Sequence, residues 1–182
     1  MRTDEIANKL EHFFVAEKGY SAVPTQIIQD NGKRKFTYTA IRGEINTQSY
    51  RNHIKTEVGL TPSPLIDHDK CYWGAIDIDT YNMEGAKKKE IIEGAKELHL
   101  APAFSKSQGI HLYCVSKDKI LAKAMRNYLA YCRATLKLDP KTEIFPKQDE
   151  VSITEENGFK KFGYGNGITI PYRSFEIHAE KD

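Results

Sequence analysis

The sequence predicts an α+β fold whose second half has the element order β-α-β-β-α-β. Three observations predict it. An apolar strand runs from Cys71 to Ile78, a second apolar strand runs from Ile110 to Val115, and helical patterns separate the strands. We expect residues 1–66 to form an N-terminal α/β unit and residues 67–182 to form the β-α-β-β-α-β half. A chain of 182 residues is long enough to bury the core of one such domain.

The N-terminal unit is predicted to contain two helices and a hairpin. Thr3 to Lys18 carries apolar residues at helical spacing behind a capping threonine. Gln26 to Gln29 and Lys35 to Ile41 flank Asn31-Gly32, a pair that favours a tight hairpin turn. Thr47 to Val58 predicts the second helix.

The second half carries the elements that define its fold. In chain order these are a strand (Cys71 to Ile78), a helix (Asn82 to Leu98), a short strand (Ala103 to Ser105), a strand (Ile110 to Val115), a helix (Lys117 to Leu136) and a strand (Thr142 to Phe145). This is the order of ferredoxin-like folds, including RNA-recognition-motif-like (RRM-like) folds. Asp149 to Gly167 is polar with a weak strand pattern, and Gly167 to Ile170 is a candidate further strand.

Composition excludes several classes of protein. The chain has 27 Lys and Arg against 25 Asp and Glu, so its net charge of +2 gives no strong overall field for a polyanion. Three cysteines without Cys-x-x-Cys spacing predict reduced core residues and no zinc ribbon. No signal peptide and no apolar run of about 20 residues is present, which predicts a cytoplasmic protein with no membrane partner.

Two carboxylates at the end of the first strand of the second half are the leading candidates for chemistry. Strand side chains alternate between faces, so Asp77 and Asp79 point the same way. Like charges this close repel, and proteins tolerate them mainly when a divalent metal neutralises the pair or one carboxyl keeps its proton. The alternative is a strand end whose acids simply face water.

A third carboxylate is expected beside this pair. In a ferredoxin-like sheet the last strand runs antiparallel to the first, so Glu143 at its start should lie near the first strand's end. Three acids on neighbouring strands could hold two divalent cations about 3.5–4 Å apart, the arrangement used for phosphoryl transfer. Asp139 is the competing third acid, although Asp139-Pro140 is more typical of a turn.

Groups suited to phosphate binding precede the Ile110 strand. Ser105, Lys106 and Ser107 supply hydroxyls and a cation, and Gly109 allows a close backbone approach. His111 enters the strand, where a lone histidine is usually a hydrogen-bonded structural residue, but these neighbours favour a phosphate contact.

Strand direction decides how near that histidine comes to the acids. We expect the Ile110 strand to run parallel to the Cys71 strand, which leaves His111 some way from Asp79. That distance favours contact with a triphosphate over metal ligation. Lys147, just beyond Glu143, could pair with nucleotide phosphate or template backbone, or it could be an ordinary surface lysine.

Together these motifs resemble a known family. Asp77-x-Asp79, Ser107-x-Gly109-x-His111 and Glu143-Ile-Phe-Pro-Lys147 occur in that order, followed by Gly165-Asn-Gly-Ile-Thr-Ile-Pro171. The set resembles the catalytic domain of the archaeo-eukaryotic primase superfamily. It is most similar to the primase-polymerase branch of phages, plasmids and conflict or CRISPR-associated systems, from about Tyr50 to Tyr172.

The resemblance implies a function for each motif. Asp77, Asp79 and Glu143 would bind two Mg²⁺ or Mn²⁺ ions, while Ser107 and His111 would hold the phosphates of an incoming nucleotide. The implied enzyme is a DNA-directed primase-polymerase that takes nucleoside triphosphates, a single-stranded DNA template and a primer. A helicase or another replication domain is the further partner that the resemblance implies.

Other classes of protein share parts of this pattern. A haloacid-dehalogenase phosphatase also places Asp-x-Asp at a strand end, but Thr80 does not stand at that family's spacing. A glycosyltransferase that uses Asp-x-Asp normally has a larger parallel sheet. A catalytically inactive RRM-like module that binds single strands would expose aromatic residues on its sheet, where this chain is predicted to place acids and a histidine. A relaxase would need a His-x-His pair, which the sequence lacks.

Overall fold

The computed structural model describes residues 3–28, 34–56, 58–79, 83–105, 109–156 and 158–173. Those residues form four helices and nine strands. In chain order they are α1 (Thr3–Phe13), β1 (Gly19–Ile28), β2 (Arg34–Ala40), α2 (Thr47–Lys55), β3 (Gly59–Pro62), β4 (Lys70–Ile78), α3 (Gly85–Glu97), β5 (Ala101–Phe104), β6 (Ile110–Leu121), α4 (Ala122–Thr135), β7 (Glu143–Phe145), β8 (Ile153–Glu156) and β9 (Phe159–Phe162).

The second half contains the predicted β-α-β-β-α-β order, formed by β4, α3, β5, β6, α4 and β7. Its sheet has the strand order β5-β6-β4-β7, in which every neighbouring pair is antiparallel. The acidic strand β4 is therefore central, with β6 on one side and β7 on the other. The predicted α+β fold class is confirmed.

The direction of β6 differs from our expectation. We predicted that it runs parallel to β4, but the two strands are antiparallel and pair Asp77 with His111. The connections explain this, because the α3 crossover keeps β5 parallel to β4 and the short turn at Ser105 to Gly109 then reverses the chain. His111 consequently lies next to the acidic end of β4.

Several boundaries in the N-terminal unit also differ from the prediction. α1 ends at Phe13 and β1 already begins at Gly19, so the chain is extended well before the predicted Gln26. β3, Gly59–Pro62, was not predicted, because glycine and proline there are more typical of a break. With β2 it flanks β1 in an antiparallel sheet of order β2-β1-β3. The Asn31-Gly32 turn lies outside the described residues.

Two further differences fall in the second half. β6 continues through the polar segment after Val115 to Leu121, so α4 starts at Ala122 and not at the predicted Lys117. Gly167 to Ile170, our candidate strand, has no strand assignment. Ile168 and Ile170 are nevertheless buried, and their segment covers part of the core.

The central sheet carries a hydrophobic core on each face. Helices α3 and α4 cover one face, where Ile76 of β4 packs with Met125 and Leu129 of α4. The N-terminal unit and the segment of Ile168 and Ile170 cover the other face, where Trp73 packs with Phe14 and Ile168. Trp73 is fully buried and donates its indole N–H to the Val15 carbonyl at 2.9 Å. The sheet is thus sandwiched between two layers, and its edges and ends stay open.

The two N-terminal helices hold this second layer together. Asn46 caps α2 by accepting from the backbone N–H groups of Gln48 and Ser49. Tyr50 in α2 is buried and donates its hydroxyl to the Phe14 carbonyl just after α1, at 2.7 Å. Because these bonds tie α2 to the end of α1, the layer sits on the sheet as one packed body.

The cysteines fit the predicted reduced core. All three are free, and Cys71 and Cys132 are buried, while Cys114 is half-buried. Burial raises the pKa of the Cys71 thiol to about 12, which keeps it protonated and unreactive. Among the described residues, no helix is both long and apolar enough to cross a membrane.

Candidate active site

A row of charged residues crosses the central sheet at one end. Asp77 of β4 pairs directly with His111 of β6 on one side and with Glu143 of β7 on the other. Cross-strand partners in antiparallel strands project to the same face, with Cβ atoms about 4.5–5.5 Å apart. The sequence prediction that Glu143 lies beside the acidic strand is therefore confirmed in register, and His111 joins the same row.

The row lies just outside the N-terminal cover. One step back along the same face, Ala75 pairs with Tyr113 and Phe145, and all three are buried in the N-terminal core. In the charged row, side-chain exposure is 33% for Asp77 and 12% for His111. It reaches 54% for Glu143. The charged groups are therefore partly desolvated, yet a ligand can reach them from one side.

His111 contacts the acid of the central strand. Its Nε2 lies 3.2 Å from Asp77 Oδ1. Its Nδ1 lies 2.9 Å from the hydroxyl of Tyr113, which donates to the Thr169 carbonyl at 2.9 Å. Because that carbonyl can only accept, the Tyr113 proton is committed to it and His111 Nδ1 must be the donor. Nε2 faces a carboxylate, which when ionised also only accepts, so the ring satisfies both contacts together as an imidazolium with a proton on each nitrogen.

Tyr113 is well suited to this fixed role. It is almost fully buried, and its ring packs edge-on against Phe14 at a centroid distance of 5.0 Å. Burial raises the pKa of Tyr113 well above its ordinary value, and the charge of Asp77 adds to the effect. The hydroxyl therefore stays protonated across the physiological range and continues to orient the histidine.

Glu143 has a cationic partner of its own. Lys147 Nζ lies 2.6 Å from Glu143 Oε1 and 5.0 Å from the centre of the Phe145 ring. The bend after β7 brings the lysine back over the strand that carries Glu143. Each of the two paired acids of the row, Asp77 and Glu143, therefore contacts a basic side chain of the protein.

The other two candidate acids lie outside the row. Asp79 follows the last residue of β4 and is exposed. Asp139 accepts from the Lys141 backbone N–H at 2.8 Å, and its own carbonyl accepts from the Thr142 N–H. This is the turn that the sequence favoured, so Glu143 and not Asp139 is the third acid nearest to Asp77.

A tight turn stands beside the end of β4. Ser105 and Gly109 bond twice, from the Ser105 N–H to the Gly109 carbonyl and from the Gly109 N–H to Ser105 Oγ, both at 2.9 Å. A Cβ on Gly109 would come within 3.0 Å of the Ile78 carbonyl, so the turn approaches β4 closely only because this residue is glycine. Lys106 and Ser107, two predicted phosphate ligands, lie outside the described residues.

Another glycine lies below the row. A Cβ on Gly74 of β4 would be 2.6 Å from the Phe145 carbonyl of β7 and 2.7 Å from Met125 Cγ of α4. No side chain fits there without moving a backbone. The missing side chain allows β7 and α4 to pack closely against β4.

The donors of the row suit a hard cation but are not assembled around one. Carboxylate oxygens on one exposed face are the ligands that Mg²⁺ and Mn²⁺ prefer. Among the residues that the structure describes, no three His, Cys, Asp or Glu side chains are grouped closely enough to hold a metal ion. Asp77 and Glu143 point instead to His111 and Lys147, so a cation would have to draw the acids away from these partners.

A comparison with known protein families identifies the family to which the chain belongs. A family model described as "TOTE conflict system, Archaeo-Eukaryotic Primase domain" matches residues 2–181. The chain belongs to the archaeo-eukaryotic primase family. This family membership supports a primase-like nucleotidyltransferase, and the family generally uses divalent metals. A search of curated proteins finds no match.

Sequence reasoning missed two participants in this primase domain. Tyr113 and the Thr169 carbonyl fix the orientation of His111, but Tyr113 was taken only as part of an apolar strand. A usable signal was present, because a residue two positions after the histidine shares its face of the strand. Thr169 could not be identified in this way, because it makes the contact with its backbone carbonyl and every residue has such a carbonyl.

Proposed function

We propose that this primase domain is a DNA-directed primase-polymerase that adds nucleotides to a primer, or makes a primer, on a single-stranded DNA template. The observation that carries the proposal is the direct pairing of Asp77 with both Glu143 and His111 on one partly exposed face. The carboxylates of Asp77 and Glu143 offer oxygen ligands for a cation, and the imidazole of His111 beside them can contact a phosphate.

In this proposal Asp77, Asp79 and Glu143 hold two Mg²⁺ or Mn²⁺ ions. Bound there, such ions would supply the charge that lowers the pKa of an attacking hydroxyl and offsets the charge of the triphosphate. The protein itself supplies positioning. Ser105 and Gly109 lie close to the end of β4. We propose that their hydroxyl and backbone N–H groups, together with Lys106 and Ser107 between them in the sequence, hold phosphate oxygens.

His111 and Lys147 change partners in the proposed mechanism. Without a cation, Lys147 pairs with Glu143, and His111 in its protonated form pairs with Asp77. When the carboxylates turn to metal ions, the imidazole and the ammonium lose those partners and become available to the phosphates of the incoming nucleotide. Exposed ion pairs are weak, so the exchange costs little for Lys147 and Glu143. Tyr113 holds the imidazole in place while its partner changes.

The two halves of the chain would act together. We propose that residues 1–66 and 67–182 form one catalytic domain, because Trp73 of the acidic strand packs against Phe14 in a shared core. The N-terminal layer then forms one wall of the site. A helicase or another replication domain is the partner that we propose to open the template.

Primer extension on a single-stranded template tests the proposal. Asp77→Ala and Asp79→Ala should each reduce nucleotide incorporation by about a thousandfold or more, because each removes a cation ligand. His111→Ala should mainly weaken nucleotide binding. Rates with Mg²⁺ and Mn²⁺, and with ribo- and deoxynucleotides, define the preferred substrates.

Asp139→Ala is the matched control, since it removes an exposed acid from a turn outside the charged row. It should leave extension unchanged. Extension by a folded Asp77→Ala/Asp79→Ala double variant at the wild-type rate would contradict the proposal. Unchanged nucleotide affinity in His111→Ala would contradict the phosphate role alone.

A further inference from the structure

A groove lies between α4 and the edge strand β7, behind the candidate active site. It has a volume of about 400 Å³, and four basic side chains line it: Lys123, Arg126, Arg133 and Lys147. Glu143 also lines the groove, so one end of it reaches the charged row. The proposed function leaves the three basic residues of α4 without a role.

Helix α4 concentrates positive charge on this side of the molecule. Lys123, Arg126 and Arg133 are its charged residues, and it contains no acid. The helix thus carries three positive charges, whereas the whole chain has a net charge of only +2. A local field of this kind attracts a polyanion even though the overall charge is small.

Contacts within the protein orient the basic side chains of the groove, but these side chains can still bind a phosphate. Arg133 donates to the Thr142 carbonyl at 2.9 Å, which orients its guanidinium along the β7 edge. Arg126 pairs with Asp149, and Lys147 pairs with Glu143, in both cases with partly exposed side chains. Such exposed pairs are weak and exchange readily for a phosphate. Lys123 lines the groove and is exposed.

The distance over which the charges are spread along the groove favours an extended anion. From Lys123 to Arg133 the helix advances about 15 Å, which is longer than the triphosphate of one nucleotide. A volume of about 400 Å³ is at the small end of the range for ligand sites. Charges spaced along the groove match the repeating phosphates of a single strand.

We infer that this groove, lined by Lys123, Arg126, Arg133 and Lys147, binds the phosphodiester backbone of a single-stranded nucleic acid that passes the candidate active site. The inference rests on the proposed function, to which it adds the path of a strand. Contacts to phosphate position a strand without reading its sequence, so binding there is independent of base composition.

Binding of a labelled single-stranded oligonucleotide to the full chain, followed by fluorescence anisotropy, tests the groove. Lys123→Gln/Arg133→Gln should weaken binding by about tenfold at low salt. The slope of log affinity against log salt should fall by about 1.4, because each neutralised phosphate of a single strand contributes about 0.7. Affinity for a nucleoside triphosphate should not change. DNA and RNA oligonucleotides form separate arms.

The control is Lys89→Gln/Lys96→Gln, which removes two positive charges from α3. It should leave the affinity and the salt slope near wild type. Lys123→Glu serves as a second variant, since this residue is exposed and reversal of its charge should weaken binding further. Equal losses in the α3 control, or wild-type affinity in both groove variants, would overturn the inference. So would displacement of the oligonucleotide by polyglutamate at equal charge concentration, since the groove would then be a general polyanion site.

The result separates this inference from the proposed function. Groove-dependent binding by a chain that extends no primer would support the groove and contradict the proposed function. Primer extension with binding that does not depend on the groove would support the proposed function and contradict the groove.

Discussion

Two rows of residues on the same face of the central sheet have opposite characters. Ala75, Tyr113 and Phe145 form a buried row beneath the N-terminal unit. Two residues further along β4, Asp77 is flanked by His111 and Glu143 in a charged and partly exposed row. The rows are only about 7 Å apart along the strand.

The difference between the rows comes from what lies above them. α1, α2 and the segment of Ile168 and Ile170 cover the first row and end before the second. The strands provide the same geometry to both. A site of this kind therefore needs no special strand conformation, only a covering layer that stops one step short of three polar side chains.

The strongest way to break this comparison is to place a charge in the covered row. Ala75→Asp should destabilise the fold by about 3–5 kcal/mol, because an unpaired carboxylate would be buried beside Trp73 and Phe14. Urea denaturation gives the free energy of unfolding. The matched change in the open row, Asp77→Ala, should alter stability by about 1 kcal/mol or less. Similar effects of the two changes would show that the rows do not differ in burial as described.

A smaller effect is expected from the histidine that anchors the covering segment. His53 is fully buried, accepts from the Leu60 N–H through Nδ1 and donates from Nε2 to the Pro171 carbonyl. Burial lowers the pKa of His53 from 6.5 to about 4, against a smaller opposing effect of its hydrogen bond to Pro171. Between pH 6.5 and about pH 4, His53 is mostly protonated in the unfolded chain but stays neutral in the folded chain.

The contribution of His53 to stability is therefore complete above pH 6.5 and is lost as the pH falls from 6.5 to 4. The loss should be about 3 kcal/mol. Urea denaturation across this range should show it in the wild type and in the control His12→Gln, which changes an exposed histidine. In His53→Gln this part of the pH dependence should disappear. A variant with the wild-type pH profile would contradict the assignment.

Removal of the Tyr113 hydroxyl, which links the two rows, should affect stability less than the changes at Ala75 and His53. Tyr113→Phe leaves the Thr169 carbonyl without its donor and His111 Nδ1 without its acceptor. We expect a loss of about 2 kcal/mol in the free energy of unfolding. Nitrogen-15 NMR should show a hydrogen-bonded Nδ1–H of His111 in the wild type, and that hydrogen bond should be lost in the variant.

Tyr50→Phe is the control for this prediction. It also removes a buried tyrosine hydroxyl, one that donates to the Phe14 carbonyl at 2.7 Å and does not contact His111. The stability of Tyr50→Phe should fall by a similar amount while the Nδ1 hydrogen bond of His111 stays as in the wild type. An unchanged Nδ1–H signal in Tyr113→Phe would show that the hydroxyl does not orient the ring.

Much of the sheet could be predicted from local patterns. The apolar run from Cys71 to Ile78 identified the strand, and the alternation of strand side chains between faces predicted that Asp77 and Asp79 point the same way. The family followed from motif order, and the family match over residues 2–181 confirms it. The metal and nucleotide roles of the individual side chains stay predictions.

The errors have physical causes. The antiparallel direction of β6 followed from the order of its connections, so the parallel direction that we inferred for His111 was wrong although the sequence contained the information. β3 was not predicted because its glycine and proline are residue types typical of loops. The orientation of His111 depends on Tyr113 and on a carbonyl more than 50 residues away, a contact that only tertiary structure creates.

The glycine below the charged row has a consequence for any redesign of this domain. Gly74 lies on the face opposite to Asp77, yet a methyl group there would push against the backbone of β7 at Phe145. The same strand carries Glu143 two residues earlier. The separation of the two carboxylates is thus set partly by an empty space on the far side of the sheet, and a change that never touches the site could widen it.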